Sequence, residues 1–241
     1  MDAWTRAAPR LIAHRGASDE CTENTLPAFL RAAEVGAHAV ELDVRLSADG
    51  ELVVHHDHDW GRVVPLEGAV HETKWADVAA SGAAVPRLGD VLAALPPNIG
   101  IDIEVKADDD SCMTIPPILA AALRGHDARP IIITSFAPDL ALEAARAARR
   151  PAGAILPFAP DMSDLEDLAG VDAIMLHHEA CTPEALDSAR RVELAVYVWT
   201  VNDEAVMARV AADHVAGIIT DCPATIGPRW ADVSDPAPRA T

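Results

Sequence analysis

The sequence predicts an α/β fold, specifically a (β/α)8 or TIM barrel, on three observations. Short apolar runs rich in Val and Ile alternate with Ala-rich stretches that favour helix, the runs number eight, and no glycine-rich phosphate loop follows the first of them. Eight parallel strands close a barrel. The competing architecture, an open doubly wound sheet, ordinarily carries GxGxxG or GxxxxGK(S/T) after its first strand, and neither occurs here. A chain of 241 residues, 50% of them hydrophobic, is enough to bury one large core, so residues 1–241 are expected to form a single barrel domain.

In order along the chain, the runs are Leu11–His14, Ala39–Val44, Gly100–Val105, Ile131–Ser135, Ala152–Leu156, Ala173–Leu176, Leu194–Trp199 and Gly217–Thr220. Each is short and unbroken by proline, as fully buried parallel strands are. Helices are expected between most of them: Thr25–Val35 after an Asn24 cap, Leu88–Leu95, Ile115–Arg124, Leu140–Ala148, Pro183–Arg191 and Glu204–Val210. One further run, Leu52–His55, breaks the alternation because only Ser47-Ala48-Asp49-Gly50 separates it from the second strand. A parallel neighbour needs a crossover of about a dozen residues, so this run should return antiparallel through an Asp-Gly turn and extend the second strand as a hairpin. With the turn centred between Ala48 and Asp49, His56 faces Glu41 and Val54 faces Asp43. Residues 59–84 have little pattern and read as an irregular insertion over the barrel mouth, while the Pro- and Ala-rich tail from Pro228 to residue 241 is expected to be loosely ordered.

The charge excludes several function classes. With 38 acidic residues against 19 Lys and Arg, the formal charge of −19 repels nucleic acid and anionic membranes. Any phosphate bound here must meet local positive charge or a metal ion. The four cysteines, Cys21, Cys112, Cys181 and Cys222, have no CxxC spacing and read as reduced thiols. No apolar stretch is long enough to span a bilayer and the N-terminus has no secretion-type apolar segment, so a cytoplasmic protein without integral membrane association is expected.

Chemistry concentrates at strand ends. Glu41 and Asp43 are two apart on one strand and share a face, and Glu104 and Lys106 repeat that spacing on the next. Three carboxylates crowded together raise one another's pKa, and a divalent cation relieves the repulsion while supplying a Lewis acid. An all-oxygen set favours Mg2+ or Ca2+ over zinc. Against this stands the bland possibility that the acids face solvent or pair with Arg15, Arg45 and Lys106. His14 ends the first strand before Arg15 and Gly16, and His56 ends the hairpin return beside Asp57. Two imidazoles flanking a phosphate suit general acid and base duty, and the planar fork of Arg15 suits phosphate. His38, His71, His126 and His214 are read as structural. A rival metal reading uses His56-Asp57-His58 as an HxH zinc pair, with His177 and His178 at another strand end. A third is a phosphate-binding barrel without catalysis.

The order and spacing of His14-Arg15-Gly16, Glu23-Asn24-Thr25, Glu41-Leu42-Asp43-Val44, Asp49-Gly50, Val53-Val54 and His56-Asp57 resemble the glycerophosphodiester phosphodiesterase family. The resemblance continues through Pro86-Arg87-Leu88, Glu104-Val105-Lys106, Ser135-Phe136, Trp199-Thr200-Val201-Asn202 and Thr220-Asp221-Cys222-Pro223, nearly the whole chain. It implies a barrel enzyme in which Glu41, Asp43 and Glu104 hold one divalent cation and His14 and His56 are acid and base. Arg15 and Lys106 would help hold phosphate, and Trp199 would line the substrate pocket. The implied reaction is metal-dependent hydrolysis of a small-molecule glycerophosphodiester to glycerol 3-phosphate and an alcohol, by attack of either the glycerol hydroxyl or water. The chain departs from the family at Thr22, where proline is usual, and at Trp60 and Arg62-Val63-Val64, where leucine and an Arg-Thr-Thr pattern are usual.

Overall fold

A computed structural model describes residues 3–7, 10–107, 110–213 and 215–234. The strands are β1 (Leu11–His14), β2 (Ala39–Leu46), β3 (Leu52–Val54), β4 (Gly100–Val105), β5 (Ile131–Ser135), β6 (Ala152–Leu156), β7 (Ala173–His177), β8 (Ala195–Trp199) and β9 (Gly217–Thr220). The sheet order is β1-β9-β8-β7-β6-β5-β4-β2-β3, and β1 also pairs in parallel with β2. That pairing closes eight parallel strands into the expected barrel, with β3 appended antiparallel to β2. Helices α1 (Ala3–Ala7), α2 (Leu26–Glu34), α3 (Trp75–Ala80), α4 (Leu88–Ala94) and α5 (Ile115–Ala122) are followed by α6 (Pro138–Ala148), α7 (Met162–Glu166), α8 (Pro183–Arg191), α9 (Glu204–Ala212) and α10 (Pro223–Ser234).

Strand alternation divides the apolar residues into two cores. Outward residues such as Val40, Leu42, Ile101, Ile103 and Ile133 pack under the helices. Inward residues Ile12, Ile132, Ile155, Met175, Tyr197 and Ile219 fill the barrel. Trp4 of α1 joins this inner core, its indole N–H donating to the Tyr197 hydroxyl at 3.2 Å. Polar inward residues are therefore confined to the other, C-terminal end of the strands, where barrel active sites lie.

Several sequence expectations need correction. The hairpin register is Val44↔Val54, Arg45↔Val53 and Leu46↔Leu52, one residue away from the pairing of Asp43 with Val54. Ser47 N–H bonds to the Glu51 carbonyl, leaving a three-residue loop centred on Asp49, with Gly50 at φ 85° supplying its left-handed position. Strand β3 stops at Val54, so His56 reaches the barrel mouth from beyond the strand end and not as the partner of Glu41. Helix α2 is capped by Thr25, whose Oγ1 accepts from Ala28 N–H, and not by Asn24. Residues 59–84 are ordered: α3 and a 3-10 turn at Val70–Glu72 surround a small core of Val53, Trp60, Val64, Val70 and Val78. From Pro228 to Ser234 the tail is helical, because α10 runs through Pro228, and residues 235–241 lie outside the described residues.

The cysteines are free thiols. His38 Nδ1 accepts from Leu11 N–H at 3.0 Å, and His71 stacks edge-on to His58. His214 lies outside the described residues. Among the described residues, no helix is long and apolar enough to cross a membrane.

Candidate active site

The turn after β1 sets the first side of the site. Arg15 is left-handed, with φ 57°, and its N–H donates to Glu41 Oε2 at 2.9 Å. Gly16, at φ 85°, lies so close to α2 that a Cβ would fall 2.6 Å from the Ala28 backbone, so no larger residue fits. Asn24 is also left-handed and sends its amide N–H to Asp43 Oδ2 at 2.7 Å. A residue read as a helix cap therefore orients a buried carboxylate.

Glu41, Asp43 and Glu104 bring ligand oxygens within 4.8 Å of one another, the one such cluster of three or more His, Cys, Asp or Glu groups among the described residues. Lys106 Nζ bridges Asp43 Oδ1 at 2.7 Å and Glu104 Oε1 at 2.6 Å, while Arg15 Nε lies 3.6 Å from Asp43 Oδ2. Burial opposes ionisation of Asp43, but Lys106 and Arg15 outweigh it and hold the carboxyl well below the usual range. Burial and then the charges of Asp43 and Glu104 push Glu41 well above that range. Glu104 is pushed up to about 7 by burial and by Asp43, against the pull of Lys106. Asp102, on the floor of the same cavity, is also pushed to about 7 by burial, with Glu104 and Asp43 adding to it against the Thr134 hydrogen bond. Two nearby cations thus leave this carboxylate set short of positive charge. The oxygen-only donors and this deficit fit a hard divalent cation.

Two histidines line the same cavity as the cluster, each with one ring nitrogen tied to a carboxylate. His14 Nδ1 lies 2.6 Å from Asp221 Oδ1, and its Nε2 is 4.0 Å from Glu41 Oε2. His56 Nδ1 lies 2.7 Å from Asp57 Oδ1. Each bond fixes the ring and leaves Nε2 as the nitrogen available for proton transfer. Burial lowers the His56 pKa, with Lys106 and Arg15 acting in the same direction against Asp43 and Asp57. Asp221 is held down at about 2 because its bonds from His14, Asn202 and Ser18 outweigh burial.

These groups line a cavity of ≈ 200 Å³ containing His14, Arg15, Glu41, His56, Asp102, Glu104, Thr134 and Trp199, with Ile155, Met175 and Ile219 as apolar wall. Trp199 is fixed by its indole N–H to the Met175 carbonyl at 2.8 Å and by edge contacts with Phe136 and His177. Lys106 instead lines an adjoining depression of ≈ 590 Å³ that shares His56 and Glu104 with the cavity. Asp43, a member of the carboxylate cluster, is fully buried. All eight residues singled out from sequence therefore converge on one end of the barrel.

The sequence reading passed over the second layer. Asp57 and Asp221 orient the histidines, Asn202 donates to Asp221 Oδ2 at 2.6 Å, and Arg62 links Asp57 with Glu23. Glu23 in turn accepts from Arg15 at 2.9 Å. Asp57 is adjacent to His56, and Glu23, Asn202 and Asp221 stand within the motifs that carry the family resemblance, but strand geometry gives none of them a role. The zinc alternative is not supported. His58 faces Asp59 and His71, and His177 with His178 stack on each other beside Trp199.

Residues 14–225 match the family model described as the glycerophosphoryl diester phosphodiesterase family. A glycerophosphodiester phosphodiesterase of Caldanaerobacter subterraneus is 30% identical over 231 residues, covering 90% of this chain and 95% of that protein. The crystal structure of a glycerophosphodiester phosphodiesterase from Thermotoga maritima superposes with a TM-score of 0.79 at 25% identity, covering 91% of this chain and 98% of the other. An Oleispira antarctica phosphodiesterase, solved in complex with the product sn-glycerol-3-phosphate, shares the fold with a TM-score of 0.80 at 22% identity, covering 97% and 99% of the two chains.

Proposed function

This chain belongs to the glycerophosphoryl diester phosphodiesterase family, and on that premise we propose that His14 and His56 are the acid and base that hydrolyse a glycerophosphodiester to glycerol 3-phosphate and an alcohol. The observation that carries the assignment is the pairing of each ring with its own carboxylate, at 2.6 Å for His14 and 2.7 Å for His56, on a single cavity. Glu41, Asp43 and Glu104 are the ligands for one Mg2+ or Ca2+, which when bound supplies a Lewis acid for the charge developing on the phosphate oxygens. Arg15 presents its guanidinium to the phosphate from the cavity wall. Lys106 holds Asp43 and Glu104 in place and adds positive charge beside them.

Both rings line the one cavity, so that one imidazole removes the proton of the attacking oxygen and the other protonates the departing alkoxide. His56, whose neutral form is favoured by burial, serves as the base, which leaves His14, oriented by Asp221 at 2.6 Å, to serve as the acid. Trp199 closes the apolar side of the cavity against the substrate's carbon chain. The substrates are small soluble diesters met in the cytoplasm.

The test is turnover of glycerophosphocholine by purified protein, followed by release of glycerol 3-phosphate. Chelation should abolish it and Mg2+ or Ca2+ should restore it. Undiminished turnover by metal-free protein, or none with any divalent cation, would sink the assignment.

A further inference from the structure

Asp102 lines the cavity and has no part in the mechanism above. It is 1% exposed, and its one hydrogen bond comes from Thr134 Oγ1 to Oδ1 at 2.7 Å. The carboxylates Glu104 and Asp43 act on it and oppose its ionisation, as burial does. A buried carboxylate in such surroundings is costly to hold. The inward residues around it, Ile132, Ile155, Met175 and Ile219, show that an aliphatic side chain would fill this layer instead. Its polarity therefore serves something that enters the cavity.

Position says what that is. Asp102 is level with Glu41 in the β2–β4 register and lies two residues before Glu104 on the same strand, one inward layer deeper than Glu104 and Asp43. Two residues of strand rise amount to about 6.6 Å, the reach of a three-carbon chain carried by a phosphate held at the level of Glu104. Thr134, level with Glu104 on β5, braces the carboxylate from the side. The cavity of ≈ 200 Å³ is smaller than the roughly 300–1,000 Å³ typical of larger ligands. It holds a short polyol and not a bulky or acyl-bearing group. One wall offers the Asp102–Thr134 pair and the other Ile155, Met175 and Trp199, which suits a fragment with hydroxyls on one edge and carbon on the other.

We propose that Asp102, braced by Thr134, accepts a hydrogen bond from the terminal hydroxyl of the substrate's glyceryl group and so selects glycerol diesters over other alkyl diesters. This rests on the hydrolysis of glycerophosphodiesters proposed above. The experiment compares kcat/KM for glycerophosphocholine and for its analogue built on propane-1,2-diol, which lacks only the terminal hydroxyl. Wild-type protein should prefer the glycerol diester by about 10- to 100-fold, the range for a hydrogen bond to a charged group. Asp102→Ala should bring that ratio close to one, and Asp102→Asn, which keeps shape and the oxygen facing Thr134, should lower it several-fold. Mg2+ affinity, measured by calorimetry, should hold within a few-fold in the Asn variant. A ratio unchanged in both variants, equal losses on both substrates, or loss of Mg2+ binding would overturn the assignment, the last by making Asp102 a ligand. Absence of turnover of either diester by wild-type protein would instead overturn the underlying reading of the site.

Discussion

Replacing Asp221 by Asn tests the site at its longest-range bond. Asp221 Oδ2 accepts from Asn202 Nδ2 at 2.6 Å, and Oδ1 receives both His14 Nδ1 at 2.6 Å and Ser18 Oγ at 3.1 Å. Asn202 cannot turn its amide over, because its Oδ1 already accepts from Asp221 N–H at 2.9 Å and Thr220 Oγ1 at 3.1 Å. The new amide must therefore aim its oxygen at Asn202 and its NH2 at His14, since the opposite choice sets two donors against each other. A donor facing Nδ1 forces the proton onto Nε2 and forbids the imidazolium, which needs Nδ1 as a donor. Loss of one charge-assisted bond alone corresponds to about 1.5–3 kcal/mol, or roughly 10- to 150-fold. A misoriented tautomer in a comparable His–Asp pair lowers kcat by about 10⁴. Because the Asp221 side chain is 33% exposed, water relieves part of the mismatch, and a fall in kcat of about 100- to 1,000-fold is expected. KM should change only a few-fold, and Mg2+ affinity measured by calorimetry should hold, since Asp221 touches none of Glu41, Asp43 or Glu104. A kcat within twofold of wild type, or metal affinity that falls in step with kcat, would refute the reasoning.

Two further perturbations address the other histidine. Arg62 donates to Asp57 Oδ2 at 2.6 Å and to both Glu23 oxygens at 2.6 and 2.9 Å, so Arg62→Gln should loosen His56 and Arg15 together. As its side chain is 47% exposed, the expected loss is only about 3- to 30-fold in kcat/KM, recovered in part by Arg62→Lys; full activity in the Gln variant would assign Arg62 to loop packing alone. Burial lowers the His56 pKa, so its neutral form survives acidification further than that of an ordinary histidine near 6.5. The acid limb of kcat/KM against pH should accordingly lie below that value, and a limb well above it would remove His56 as the base.

The barrel was legible because it rests on local signals. Fully buried parallel strands announce themselves as Val- and Ile-rich runs, and β1, β4, β5, β6 and β9 have the bounds those runs predicted. What failed depended on a single hydrogen bond or on distant partners. One closing bond between Ser47 and Glu51 sets a three-residue loop where the spacing alone allowed an even one, and this shifted the whole hairpin register. Helix α6 begins at Pro138 and not Leu140, since proline is accommodated in a first turn where no N–H is needed. Asn24 resembles a cap in sequence, but Thr25 already caps α2, and this frees the Asn24 amide for Asp43. The carboxylate cluster could be read from spacing because strand alternation alone places Glu41 with Asp43, and Glu104 beside them. The groups that orient them come from other loops and leave no local periodicity.

Barrel closure is what joins the two halves of the chemistry. His14 stands at the end of β1, and its carboxylate partner follows β9, 207 residues away in the chain. These strands meet only because β1 pairs with β9 through Ile12↔Ile219 and Ala13↔Thr220 while also pairing with β2 through His14↔Glu41. A single strand thus sets the distance of His14 from both Asp221 and Glu41. His56 and Asp57, by contrast, are adjacent residues on the hairpin and need no closure to meet. A change that loosened the β1–β9 seam would therefore act first on His14. The pair formed by His56 and Asp57 would stay intact. The His14–Asp221 and His56–Asp57 pairs are supported by different parts of the fold, so that on the proposed mechanism each can be disturbed without the other.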